Sequence, residues 1–170
     1  PQTPGVGGAM SLIAENIRVF YGKREALRGV SLSALPGDVT TIVGPNGSGK
    51  STLLGAITAS LPCQGQVSLN GRDIATMKPW ELAAQRAVLP QASRLAFPYT
   101  VIEVVRLGLQ SGTAGDRPDV PMQALARVGL ARYANRTFQE LSGGEAQRVM
   151  LARVLAQVWQ PVADGQPRWL

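Results

Sequence analysis

Gly44-Pro45-Asn46-Gly47-Ser48-Gly49-Lys50-Ser51 sets three glycines, a lysine and a hydroxyl in the spacing G-x-x-x-x-G-K-S. Glycines let successive backbone N–H groups turn inward and let phosphate oxygens come close. Lys50 supplies a point charge for the β- and γ-phosphates of a nucleotide, and the Ser51 hydroxyl can ligate Mg2+. The helix that follows adds its positive end to the cradle, and Thr52 completes the set of binding residues. The pattern predicts ATP or GTP held by residues 44–52, with Lys50 catalytic. The competing reading is a glycine-rich turn that matches by chance. Context favours the cradle, because a strand-like run precedes the loop and a helix-like run follows it.

The elements that must position this loop can be read around it. LIAENIRVFY at 12–21 and ALRGVSLSAL at 26–35 are strand-like, with Pro36-Gly37-Asp38 as a turn. VTTIV at 39–43 is short and β-branched, which predicts a strand buried on both faces. LLGAITASL follows the loop as a helix. GQVSL at 65–69 with Asn70-Gly71 reads as a strand and tight turn. Pro79 opens a helix, and residues 87–89 form another short buried strand that ends at Pro90-Gln91. Beyond Gln91 the character is helical. Thr100 caps VIEVVRLGL, the polar run at 111–119 is a loop, residues 121–129 form a helix, and Ser142 begins a long one. On that last helix Val149, Leu151, Val154, Leu155 and Val158 make an apolar stripe.

The second chemical motif is Leu141-Ser142-Gly143-Gly144-Glu145, followed by Gln147 and Arg148. By itself it reads as a helix start, with Ser142 as the cap and Glu145 three residues on completing a capping box. Beside the phosphate cradle, LSGGE-x-QR resembles the signature of ABC-type ATPases. That resemblance implies that Ser142, Gly143 and Gly144 contact the γ-phosphate of a nucleotide held by another copy, and hence a head-to-tail homodimer with ATP and Mg2+ sandwiched between subunits. It also implies that Tyr21 stacks on adenine, the alternative being a buried strand aromatic. Gln91 matches the glutamine that senses Mg2+ or the attacking water, the alternative being a solvated loop residue.

The resemblance covers residues 10–170 and implies an α/β fold. This is a P-loop NTPase (ABC ATPase) core with an N-terminal antiparallel β subdomain and an inserted helical subdomain, incomplete at the C-terminus. Residues 1–9 read as a disordered leader, 10–90 as β subdomain and P-loop core, 91–140 as helical subdomain, and 141–170 as signature helix and the start of the Walker B strand at Trp169-Leu170. LPQASRLAFPYTVIEVV and VLAQVWQPVADGQPRWL are similar to haemin importer ATPases, with siderophore or cobalamin importers as the neighbouring subfamily. The implied partners are transmembrane permease subunits and, indirectly, a periplasmic substrate-binding protein, at the cytoplasmic face of the inner membrane. Phe97, Pro98 and Tyr99 are candidates for permease contact or for core packing. The family's Walker B aspartate, catalytic glutamate and switch histidine lie beyond Leu170, so this chain is expected to hold nucleotide without turning it over. A chain cut there is also expected to leave apolar helix faces bare and to be poorly soluble.

Composition removes other chemistries. There is no histidine, which excludes Ser-His triads and His-ligated zinc or haem within the chain. No direct haem contact is therefore expected. The single Cys63 excludes an internal disulfide and reads as a small apolar residue. The formal net charge is +6, but the basic residues are scattered and aromatics number only three Trp, three Tyr and three Phe. No nucleic-acid partner is expected. No heptads separate Lys50 from Ser142, against the coiled-coil ABC proteins of chromosomes and DNA repair. No apolar stretch reaches the roughly 18 residues of a membrane span.

Overall fold

The computed structural model describes residues 11–90, 97–110, 117–159 and 168–170. The contacts divide the chain after Met77 into two compact units.

The first unit is an antiparallel sheet with one helix against it. β1 (Leu12–Tyr21) and β2 (Arg24–Ala34) form a hairpin, closed by Gly22 in the left-handed region at φ 60°. β3 (Gln64–Leu69) and β4 (Arg72–Asp73) extend it in the order β2-β1-β3-β4. Ile17, Val19, Leu27, Val67 and Leu69 are buried, which fixes which face of the pleat carries the core. Asn70 and Gly71, at φ 50° and 77°, make the tight turn that their dipeptide predicts. Between Ala14 and Ile17 the register of β1 shifts at Asn16. Gly65 on the neighbouring strand passes so close that a Cβ there would lie 2.5 Å from the carbonyl oxygens of Glu15 and Asn16. α1 (Lys50–Ile57) packs against β1 and β2 through Leu53, Ala56 and Ile57. It begins at Lys50, earlier than LLGAITASL suggests, so the lysine is the first helical residue.

One expectation fails in this unit. Residues 39–43 are not a strand and are not buried: Val39 is 94% exposed and Val43 83% exposed. A β-branched run has the side chains for a buried strand, but a strand exists only where neighbours accept its backbone hydrogen bonds. Among the described residues none pairs with these five.

The second unit is helical. α2 (Pro79–Gln85) starts with proline in its first turn, and α3 (Val101–Gln110), α4 (Val120–Arg127) and α5 (Gly143–Gln157) surround one core. Val101, Val104, Val105, Leu125, Phe138 and Val149 are buried there. α3 and α5 come so close that a Cβ on Gly108 would lie 2.1 Å from the Arg153 carbonyl oxygen. Of the apolar stripe read on α5, Val149, Val154 and Val158 are buried and Leu151 and Leu155 half-buried. Met150, Ala152 and Ala156 are buried as well, so α5 is covered on more than one side. Residues 87–89 form no continuous buried strand. Arg86 makes a parallel bridge to Trp169 and Ala87 is buried, but Val88 and Leu89 are exposed. Gln157 donates to the carbonyls of Ala83 and Arg86 at 2.9 and 3.1 Å and ties the end of α5 to the end of α2.

Candidate functional site

The loop ahead of α1 is shaped by its glycines. Gly47 and Gly49 sit at φ 80° and 93°, a region that L side chains rarely adopt. A Cβ on Gly44 would come within 2.8 Å of the Ser48 hydroxyl, and one on Gly49 within 2.9 Å of the Leu27 side chain. Lys50 turns back over the loop and donates from Nζ to the carbonyls of Gly44 at 2.8 Å and Pro45 at 2.7 Å. Its ammonium is therefore held at the mouth of the loop. Gly49 caps α1 without a side-chain hydrogen bond, and no acidic residue stands in the first turn. The first N–H groups of the helix thus have no side-chain oxygen in front of them. Pro45, Asn46, Gly47 and Ser48 are exposed, as is Ser51, while Thr52 is half-buried. This arrangement suits an anion, and the residues present fit triphosphate oxygens. For Mg2+ the fit is through the exposed Ser51 hydroxyl and the phosphates themselves, since no cluster of acidic or cysteine ligands occurs among the described residues.

Tyr21 ends β1 beside Gly22 and is 53% exposed, so the sheet does not bury its ring. Gln91 lies outside the described residues.

The second turn belongs to the other unit. Glu145 accepts from the Ser142 backbone N–H at 2.9 Å and from the Ser142 hydroxyl at 2.7 Å, while the Glu145 N–H donates to Ser142 Oγ at 3.4 Å. Bonding to the Ser142 hydroxyl and then to its backbone N–H draws the Glu145 carboxyl below its usual range. The capping box and the signature are thus the same residues, and one reading does not displace the other. Gly143 and Gly144 are exposed, and a Cβ on either would meet nothing within 4 Å. Neither has a positive φ. Among the described residues nothing requires glycine at these two positions.

A cleft of about 620 Å³ opens beside this turn, lined by Leu89 and Pro90, by Gly143 and Gly144, and by Arg148 and Leu151. No periodicity in the sequence announces it, because it depends on where Pro90 passes α5. Thr100, read from the sequence as the cap of α3, donates from both its backbone N–H and its hydroxyl to the Glu103 carboxylate, at 2.8 and 2.7 Å, a partner not named from the sequence.

A glycine-shaped phosphate loop at the head of a helix, a flanking antiparallel sheet and a helical unit carrying the LSGGE turn define a P-loop ATPase cassette. Solved cassettes have the same fold. The ATP-binding cassette of an ABC transporter in its ADP conformation matches at TM-score 0.73 and 33% identity, over 86% of this chain and 64% of that one. A bacterial Atm1-family ABC exporter with ATP bound matches at TM-score 0.75 and 28% identity, over 92% of this chain and 30% of that one. The model of the ABC transporter family matches residues 27–160, and the chain belongs to that family. Among similar proteins are the hemin import ATP-binding proteins HmuV of Jannaschia sp. (strain CCS1) and Roseobacter denitrificans (strain ATCC 33942 / OCh 114). The first is 62% identical over 159 residues, 94% of this chain and 59% of that protein. The second is 62% identical over 161 residues, covering 95% and 62% respectively. The chain spans about three fifths of the length of these relatives.

Proposed function

We propose that this chain is the nucleotide-binding part of the energy-coupling ATPase of a haemin importer. Residues 44–52 hold the phosphates of ATP, with Lys50 against the β- and γ-oxygens and Ser51, joined by Gln91, on Mg2+. Tyr21 stacks on adenine. The turn of Ser142, Gly143 and Gly144 closes over the nucleotide of a second copy, so the working unit is a homodimer docked on permease subunits at the cytoplasmic face of the membrane. A periplasmic binding protein delivers the substrate to the permease, and haem does not touch this chain. Residues 10–90, 91–140 and 141–170 correspond on this reading to the β and P-loop part, the helical subdomain and the signature helix.

The observation that carries the nucleotide reading is the Lys50 ammonium, fixed by two loop carbonyls in front of a helix end that no side chain caps. The haemin assignment is supported by the likeness to the HmuV proteins and by nothing in the physics of the site. Among the described residues Glu145 is the carboxylate of these two motifs, and it is engaged as a cap. The chain should therefore bind Mg-ATP without hydrolysing it. Isothermal titration of the chain with Mg-ATP, beside Lys50→Ala, tests this. Binding that disappears in the variant, with unchanged thermal unfolding, is expected. Equal affinity of the two would overturn the assignment of the loop.

A further inference from the structure

The first-turn N–H groups of a helix normally face water or a capping side chain. In α3 they do something else. The Thr100 N–H goes to Glu103 at 2.8 Å, and the Thr100 hydroxyl reaches the same carboxylate oxygen at 2.7 Å. The next two donors leave the helix altogether: Val101 N–H goes to the Arg136 carbonyl and Ile102 N–H to the Ala134 carbonyl, each at 2.9 Å. The segment so captured returns a bond, from Phe138 N–H to the Tyr99 carbonyl at 2.9 Å, and Thr100 faces Thr137 in an antiparallel bridge. From there the path to Ser142 has no slack. Glu140 N–H bonds the Thr137 carbonyl at 3.1 Å, Leu141 N–H bonds the Phe138 carbonyl at 3.3 Å, and Phe138 itself is buried in the core.

We propose that Thr100 and Glu103 are positioning residues for the turn at 142–144, acting through the backbone strap at 134–138 that α3 anchors. Their cap holds the first turn of α3 in the geometry that points Val101 and Ile102 N–H at the strap. The strap in turn sets where the backbone enters Ser142. The significance for function rests on the reading of Ser142, Gly143 and Gly144 as a nucleotide contact. The mechanical link does not, because it can be measured without nucleotide.

The test is amide hydrogen exchange on the full chain at low concentration, comparing wild type with Thr100→Ala, Glu103→Ala and the conservative Thr100→Ser. Loss of either half of the cap should speed exchange at Val101, Ile102 and Phe138, and also at the remote Leu141, Glu145 and Ala146, whose N–H groups are bonded at the turn, by about fivefold, the scale of one lost cap. Thr100→Ser should restore both sets. Interior amides of α4 and α5, such as Leu125 and Val154, should keep their wild-type rates. Acceleration confined to residues 101–102 would overturn the proposal, since the strap would then not transmit. Equal acceleration everywhere would overturn it too, as general destabilisation. If Thr100→Ala fails to fold, the milder Glu103→Gln gives the same discrimination. A failure of ATP to bind would leave these exchange patterns untouched and would count against the nucleotide reading alone.

Discussion

On the nucleotide reading, Gly143 and Gly144 are where folding and function separate most sharply. A Cβ on either would meet nothing within 4 Å, and both occupy the first turn of α5 without a positive φ. Glycine in a helix costs roughly 1 kcal/mol relative to alanine. Gly143→Ala and Gly144→Ala should therefore leave thermal stability unchanged or slightly higher, while abolishing ATP-dependent pairing of two copies, as read by sedimentation with and without Mg-ATP. Stable variants that still pair would detach these glycines from the nucleotide. Gly49 behaves in the opposite way. Its φ of 93° and the Leu27 contact make Gly49→Ala a folding lesion of roughly 1–3 kcal/mol, visible in the denaturant midpoint of the first unit. The residues of both motifs could be named from spacing alone. Their different tolerances could not, because tolerance depends on what stands opposite each Cα.

At the scale of elements, Gly108 shows how closely α3 and α5 are fitted. Gly108→Ala would drive a methyl group into the Arg153 carbonyl and should cost about 1–3 kcal/mol of unfolding free energy, measurable by urea titration. The carboxylates at the starts of α3 and α5 give these helices a pH dependence. The carboxyls of Glu103 and Glu145 are both lowered, chiefly by the hydroxyls of Thr100 and Ser142. A carboxylate with a depressed folded-state pKa stabilises above its unfolded value, about 4.3, and that contribution is lost as pH falls through the folded-state value. The helical unit should melt at progressively lower temperature as pH drops through that range. Glu103→Gln with Glu145→Gln should flatten the acid limb, and an unchanged limb would show that these caps contribute nothing there. Elements whose signal is local were legible: the β1–β2 hairpin, the Asn70-Gly71 turn and the start of α5 all follow from alternation, turn chemistry or caps. Residues 39–43 and 87–89 were misread for one shared reason. Their composition states that they would suit a buried strand, whereas burial is conferred by neighbouring strands, which composition does not describe.

For the molecule as a whole, the exposed apolar residues set its behaviour in solution. Leu35, Val39, Val43 and Leu54 are exposed in the first unit, and Val88 and Leu89 in the second. Exposed apolar residues drive association where they form one contiguous patch. Sedimentation should show concentration-dependent self-association without nucleotide, and Val39→Thr with Val43→Thr should reduce it. A monomer at all concentrations would show that these residues are harmless in water. Among the described residues no helix is long and apolar enough to cross a membrane. Membership of the ABC family was legible from two short motifs, at residues 44–51 and 141–145, because each is fixed by residue type and spacing within a few positions. The haemin importer reading is supported by likeness alone, since no feature of the described residues recognises a transported molecule.

The bonds from Lys50 to the Gly44 and Pro45 carbonyls have a consequence for the speed and heat of ligand capture. A free lysine surrenders about 2 kcal/mol of rotamer entropy when it is immobilised. Here that ordering is completed when the chain folds, before any phosphate arrives. On the nucleotide reading proposed above, capture of a phosphate starts from a lysine already gathered at the loop. Association should follow encounter, with a single kinetic phase whose rate rises linearly with ligand concentration, and discrimination between nucleotides should reside in how fast each one leaves.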